Sequence, residues 1–125
     1  MRYLLGSIAD WDTLYSEAYK TLAPGGWIEH YEAAPYMLSD DGTVTETSAM
    51  AQWGKTFVEG GRNTGRSFTV VPDGVQEAGM RKAGFGEVGV WEFKVSFLYL
   101  FFSFFFFDYY YSWFVSGYHR EKGCC

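Results

Sequence analysis

Residues 2–11, RYLLGSIADW, and residues 22–29, LAPGGWIE, frame a predicted helix and the strand that follows it. Asp10 has the short acceptor side chain that favours an N-cap, and apolar residues then recur at helical spacing. Pro24 cannot continue a helix, and the two glycines after it permit a tight turn. The apolar run at 27–36 predicts a buried strand. Helix, Pro-Gly-Gly turn and strand together indicate one repeating unit of an α/β protein.

A second helix is predicted after the turn signal at residues 39–42. Thr43 and Glu46 have the spacing of a capping box, which predicts that this helix begins there. An apolar stripe follows on the same helical face, and the helix is expected to stop near residues 60–61. The stripe consists of Met50, Trp53 and Phe57.

A third helix and a second strand are predicted beyond residue 71. Pro72 and Asp73 suit the first turn of a helix. Gly84 suits the left-handed position after the last turn, where Phe85 would pack back on Met80 as in a Schellman motif. Residues 87–95 alternate sufficiently to predict a strand. The expected order of elements over residues 1–95 is therefore α-β-α-α-β.

The composition changes sharply at Ser96. Residues 1–95 have the character of an ordinary domain, whereas more than half of the aromatic residues of the chain lie between Phe97 and Tyr118. Residues 96–125 are therefore taken as a separate Phe/Tyr-rich tail. One interpretation is translated non-coding sequence, because a T-rich tract encodes this mixture. The other is a membrane anchor, because residues 95–115 contain a single charge, Asp108, and are long enough to span a bilayer.

The charge pattern and the cysteine content exclude several classes of protein. The formal net charge is -5, and no long run of Lys or Arg is present, so nucleic acid is not an expected partner. Two His and two adjacent Cys residues at the end of the chain offer no spacing that would complete a metal site. Adjacent cysteines also make no disulfide framework, so a cytoplasmic or nuclear location is expected, with a membrane as the alternative.

The stretches quoted above resemble the distal half of class I S-adenosylmethionine-dependent methyltransferases of fungal secondary metabolism. The similarity is carried by Gly-Ser-Ile-x-Asp-Trp at residues 6–11, by Leu-x-Pro-Gly-Gly-Trp-x-Glu at residues 22–29 and by Ala-Gly-Phe at residues 83–85. It implies a partial Rossmann-like fold, with the distal half of a sheet in residues 1–95. The strand at 27–36 would then present an unpaired edge, since its usual neighbours are missing.

The resemblance also implies what the chain would bind. S-adenosylmethionine is the cofactor of the family, and the acceptor would be a small molecule or a protein. The Gly-rich turn and the acidic residue that hold this cofactor in the family have no counterpart in the sequence, so no cofactor-binding residues are assigned and little or no binding is expected. Met1 is accordingly expected to be an internal methionine of a longer parent.

Three residues are candidates for the substrate pocket, while no catalytic residue is assigned. They are Arg2, Glu29 and Glu32. Glu29 and Glu32 are expected to share a face at the end of the strand, with exposed edge or loop positions as the alternative. His30 is expected to alternate away from them and to be structural. The function expected is that of a methyltransferase fragment inactive by itself; the alternative is a non-catalytic membrane-associated protein.

Overall fold

The computed structural model describes residues 1–94 and the backbone of residues 117–119. Helical residues predominate, and the order of elements over residues 1–94 is the predicted α-β-α-α-β. The helices are α1 (Trp11–Thr21), α2 (Ala49–Thr64) and α3 (Val75–Ala83). The strands are β1 (Trp27–Glu29), β2 (Glu87–Val88) and β3 (Gly117–His119).

Two predicted helix boundaries are confirmed in atomic detail. The Asp10 side chain caps α1 by accepting a hydrogen bond from the Thr13 amide at 3.0 Å. At the end of α3, Gly84 adopts a left-handed φ of 104°. The Phe85 amide then donates to the Met80 carbonyl at 3.2 Å, which completes the Schellman pattern. Both signals are local, and both fix where their helix begins or ends.

The start predicted for α2 was wrong. Thr43 does not cap the helix, because its amide and its hydroxyl both donate to the Asp41 carboxylate, at 3.0 and 2.8 Å. The cap is Ser48, whose hydroxyl accepts from the Ala51 amide at 3.3 Å. The Asp41 side chain thus engages Thr43 in an Asx turn, which competes with the capping box that the spacing suggested.

The sheet differs from the expected distal half of a Rossmann-like sheet. Its order is β1-β3-β2, and β3 pairs antiparallel with each of its neighbours. The strands are also shorter than predicted, since β1 ends at Glu29 and β2 at Val88. β1 and β2 do not pair directly with each other. Residues 1–94 therefore form a mixed, mostly helical assembly around short strands.

Residues 1–3 pair in the parallel direction with Tyr31, two residues beyond the end of β1. Arg2 bridges to Tyr31, and the bond pattern is regular: the Tyr31 amide donates to the Met1 carbonyl at 2.9 Å, and the Tyr3 amide to the Tyr31 carbonyl at 3.2 Å. α1 lies between these two segments in the sequence, so a single parallel bridge joins the chain before α1 to the chain after β1. In the order β1-β3-β2, β1 is an outer strand, and the bridge to residues 1–3 lies beyond its end, so the unpaired edge that was expected is covered only there.

The core lies between α1, α3 and the turns around them. Its buried members are Trp11, Tyr15, Val70, Met80 and Phe85. α1 and α3 approach closely at Gly79, where an added Cβ would lie 2.5 Å from the Tyr15 ring. Gly79 is thus required by packing, although the same residue weakens a helix interior by its flexibility. The contact between Gly79 and Tyr15 holds α1 against α3. It thereby also helps to place the segments before and after α1, which pair with each other.

The predictions for the tail concern residues that lie largely outside the described ones. This applies to translated non-coding sequence over 96–125, of which only the backbone of 117–119 is described, and to the membrane segment at 95–115. In the part of the chain that the structure describes, no helix combines the length and the apolar character needed to cross a bilayer.

Candidate functional site

The three predicted site residues lie around the parallel pairing, but in unequal environments. Arg2 is largely exposed, and its guanidinium lies 3.8 Å from the Glu29 carboxylate, whose side chain is one-quarter exposed. Both side chains are therefore accessible from solvent. A long and exposed ion pair of this kind contributes little to stability and leaves both groups able to bind something else.

Glu32 is buried, with 1% of its surface exposed. One carboxylate oxygen, Oε1, accepts from the Leu4 amide at 2.5 Å and lies 3.0 Å from His30 Nε2. The other oxygen, Oε2, accepts from the Leu5 amide at 3.3 Å. Both oxygens are thus engaged by the chain itself. Glu29 and Glu32, which were expected to share a face, lie in different environments, because the Glu29 side chain is one-quarter exposed and Glu32 is buried.

His30 was expected to point away from the acidic pair, and the structure corrects this as well. Its ring is fully buried and links three elements. Nε2 faces Glu32, while Nδ1 lies 2.9 Å from the Tyr15 hydroxyl of α1 and 3.2 Å from Gln76 Nε2 of α3. We call Glu32, His30, Tyr15 and Gln76 the buried network. Sequence patterns could not predict this network, because two of its members, Tyr15 and Gln76, lie 15 and 46 residues away from His30.

The loop at residues 4–8 follows the parallel pairing and is held from two sides. The buried network binds it through the Leu4 and Leu5 amides. On the other side the Phe68 ring covers Gly6, which has a φ of 70° and leaves no room for a Cβ. The Arg66 guanidinium donates to the Ser7 carbonyl. The loop therefore lies in a defined place directly after residues 1–3.

Within residues 1–94, no group of three or more His, Cys, Asp or Glu side chains is arranged to hold a metal ion. Arg2 and Glu29 lie beside the parallel pairing, where Arg2 is largely exposed and Glu29 is one-quarter exposed. Chemically, this pair can form hydrogen bonds with a polar molecule of either charge. The arrangement suits binding and orientation of a ligand.

Comparison with known proteins identifies what the chain is similar to. It is 39% identical over 82 residues to methyltransferase pytC of Aspergillus terreus. Over this stretch the chain is similar to fungal secondary-metabolism methyltransferases. The probable methyltransferase tdiE of Emericella nidulans is 38% identical over 53 residues, and methyltransferase cpsF of Aspergillus campestris is 38% identical over 55 residues.

The similarity to these methyltransferases is partial in both directions. The pytC match covers 63% of this chain and 25% of the relative, and the tdiE match covers 42% and 17%. The cpsF match covers 44% of this chain and 19% of the relative. The chain thus spans a quarter or less of the methyltransferases that it matches. No protein-family model matches the chain, and no solved structure is similar to it.

Proposed function

We propose that residues 1–94 are the distal part of an S-adenosylmethionine-dependent methyltransferase fold and supply part of its acceptor side. The observation that carries the proposal is the 39% identity to methyltransferase pytC over 82 residues. The parallel bridge between Arg2 and Tyr31, with α1 between them in the sequence, supports it, because parallel pairing around a helix is the element from which Rossmann-like sheets are built.

In this proposal the cofactor is held by sequence that the 125 residues do not contain. Methyl transfer of this kind is a direct displacement. A nucleophile of the acceptor forms a bond to the methyl carbon while the bond from that carbon to the sulfonium sulfur breaks, which leaves S-adenosylhomocysteine and releases the acceptor proton. The protein aligns the two reactants and excludes water. This chain alone would therefore bind the cofactor too weakly for calorimetry to detect, or not at all, and would transfer no methyl group.

The three candidate residues take different roles within the proposal. Arg2 and Glu29 are accessible, so they would contact the methyl acceptor, a small molecule or a protein. Glu32 would act from behind them, since both of its oxygens already bind the chain. A cytoplasmic or nuclear location belongs to the same proposal and rests on the cysteine usage of the sequence.

A chimera tests the proposal. The matching 82 residues of methyltransferase pytC are replaced with those of this chain, and binding of S-adenosylmethionine is measured by calorimetry. We expect the folded chimera to bind the cofactor as the parent enzyme does and to retain methyl transfer. A chimera that is folded by circular dichroism and monodisperse, yet binds no cofactor, would overturn the proposal.

The same chimera tests the acceptor side. Arg2→Ala and Glu29→Gln are expected to lower methyl transfer while leaving the dissociation constant of the cofactor unchanged. Lys20→Ala is the matched control, because Lys20 is exposed and pairs only with the neighbouring Glu17 of α1, at 2.7 Å. Loss of activity in the control, or equal activity in all three variants, would remove Arg2 and Glu29 from the acceptor side.

A further inference from the structure

The Glu32 carboxylate is buried without a Lys or Arg partner in the described part of the chain. None of the ion pairs formed within residues 1–94 joins Glu32 to Lys or Arg; its only basic neighbour there is the His30 ring. Buried carboxylates are rare unless they are paired or fully hydrogen-bonded. Here two backbone amides and one imidazole nitrogen supply the bonds. The site is therefore built to hold a carboxylate between the loop at residues 4–8 and His30.

The hydrogen bonds around His30 assign its tautomer. A carboxylate only accepts, so Nε2 must carry the proton that lies between His30 and Glu32. Nδ1 then accepts, which matches the two donors placed against it, the Tyr15 hydroxyl and the Gln76 amide group. With the proton on Nδ1 instead, Nε2 and the carboxylate would be two acceptors facing each other at 3.0 Å.

The loop at residues 4–8 depends on this carboxylate for its amide bonds. The Leu4 and Leu5 amides both donate to Glu32, and within residues 1–94 no helix or strand supplies them with another acceptor. Charge-assisted bonds from amides to a carboxylate are stronger than bonds between neutral groups. Loss of the carboxylate would leave two donors without their partner in a partly buried place, which is costly.

We infer that Glu32 is a positioning residue. It fixes the loop at residues 4–8, and the Nε2–H tautomer of His30, set by Tyr15 and Gln76, holds its carboxylate in place. The buried network thereby links α1 and α3 to the loop at the carboxyl end of the parallel pairing. The inference goes beyond the proposed methyl transfer and does not depend on it, because it concerns order in the loop and can be tested without cofactor or acceptor.

The experiment uses nuclear magnetic resonance on the full 125-residue chain labelled with ¹⁵N. Imidazole ¹⁵N shifts report the tautomer, and a His119→Gln chain assigns the signals of His30 by elimination. Hydrogen exchange is followed at the Leu4 and Leu5 amides. In the unsubstituted chain we expect a protonated Nε2, an unprotonated Nδ1 and slow exchange at both amides.

Glu32→Gln removes one acceptor oxygen while keeping the size of the side chain, so it separates the effect of the carboxylate from the effect of its volume. The glutamine oxygen is expected to take the Oε1 place, where it accepts from two donors, so its NH₂ group faces the Leu5 amide. Exchange at Leu5 should then accelerate about tenfold or more, while Leu4 changes less and the His30 tautomer is retained. Glu29→Gln is the matched control, because Glu29 binds neither amide through its side chain, and it should change none of these signals.

Several results would overturn the inference. A proton on Nδ1 of His30 in the unsubstituted chain would contradict the tautomer. Exchange of the Leu4 and Leu5 amides at the rate of an unstructured peptide would contradict the order in the loop. Both measurements use the unsubstituted chain, so they remain valid even if Glu32→Gln fails to fold. Unchanged Leu5 exchange in folded Glu32→Gln, or an equal acceleration in Glu29→Gln, would also contradict it. Failure of the chimera to bind S-adenosylmethionine would leave these signals untouched.

Discussion

Helices α1 and α2 both have an apolar stripe in the sequence, yet only α1 buries it. On α1, Trp11 and Tyr15 are buried against α3 and the turns around it. On α2, Trp53 is 57% exposed, and Met50 and Phe57 are more than one-third exposed. α2 instead rests on the loops beneath it through glycines: a Cβ on Gly54 would lie 2.6 Å from the Pro35 carbonyl oxygen.

The contrast shows what an apolar stripe determines. It fixes which face of a helix will avoid water if a partner is available, but not whether a partner is available. α1 lies between two paired segments of the chain, so its position is fixed by short connections. α2 follows a long irregular stretch, and its aromatic side chains pack mainly on one another and on Phe68, at ring separations of 5.0 to 5.5 Å.

The largest change in the free energy of unfolding should come from truncating a core side chain that packs against α1. Met80→Ala removes a fully buried side chain and should lower the free energy of unfolding by about 2–5 kcal/mol. Met50→Ala, the matched change on α2, should cost less than about 1 kcal/mol because that side chain is already part exposed. Urea denaturation measures both. Equal losses would mean that the two helices are buried alike.

A smaller loss is expected where α1 and α3 touch. Gly79→Ala forces a Cβ to within 2.5 Å of the Tyr15 ring, so the helices must separate, at a cost of about 1–3 kcal/mol. The measurement is again denaturation in urea. A neutral or stabilising result would show that the close approach of the two helices is not a feature of the folded chain.

The corresponding change in α2 should have the opposite sign. Among the residues that the structure describes, a Cβ on Gly60 meets nothing within 4 Å, and Gly60 lies in the interior of the helix. Gly60→Ala should therefore raise the free energy of unfolding by about 0.5–1 kcal/mol through the lower flexibility of the unfolded chain. Destabilisation by this substitution would indicate a partner on that face of α2.

The smallest effect concerns the cap of α1 and appears only in acid. Hydrogen bonds from the Thr13 amide and then from its hydroxyl lower the pKa of Asp10 below its usual 3.8. A lowered folded pKa gives stability that is present above about pH 3.8 and is lost as the pH falls through the folded value. Asp10→Asn keeps an acceptor for the cap but removes this pH dependence. Thermal unfolding of the two chains is measured from pH 6 down to pH 2. The same loss of melting temperature in acid for both chains would contradict the role given to the Asp10 carboxylate.

Local signals in the sequence predicted the parts of the fold that local bonds determine. Asp10 and Gly84 each act on residues within five positions, and both boundaries were confirmed. Thr43 failed because Asp41, two residues earlier, offered a competing bond. β1 was predicted too long because the alternation of apolar residues continues past the point where its antiparallel ladder with β3 ends.

The candidate site was harder to predict because its bonds join distant parts of the chain. Arg2, Glu29 and Glu32 could be proposed from the resemblance, and they do lie around one edge. Their different burial could not be predicted from sequence. It depends on the pairing of residues 1–3 with 29–31, which brings the Leu4 and Leu5 amides to Glu32. The link from His30 to α1 and α3 depends in turn on the packing of those helices.

The central claim is that this chain carries the distal part of a methyltransferase fold without the part that holds the cofactor. Calorimetric titration of the 125-residue chain with S-adenosylmethionine tests it most directly, after circular dichroism has shown that the chain is folded. We expect no heat beyond that of dilution. A saturable signal with a dissociation constant in the micromolar range would contradict the account, because these 125 residues would then hold the cofactor themselves.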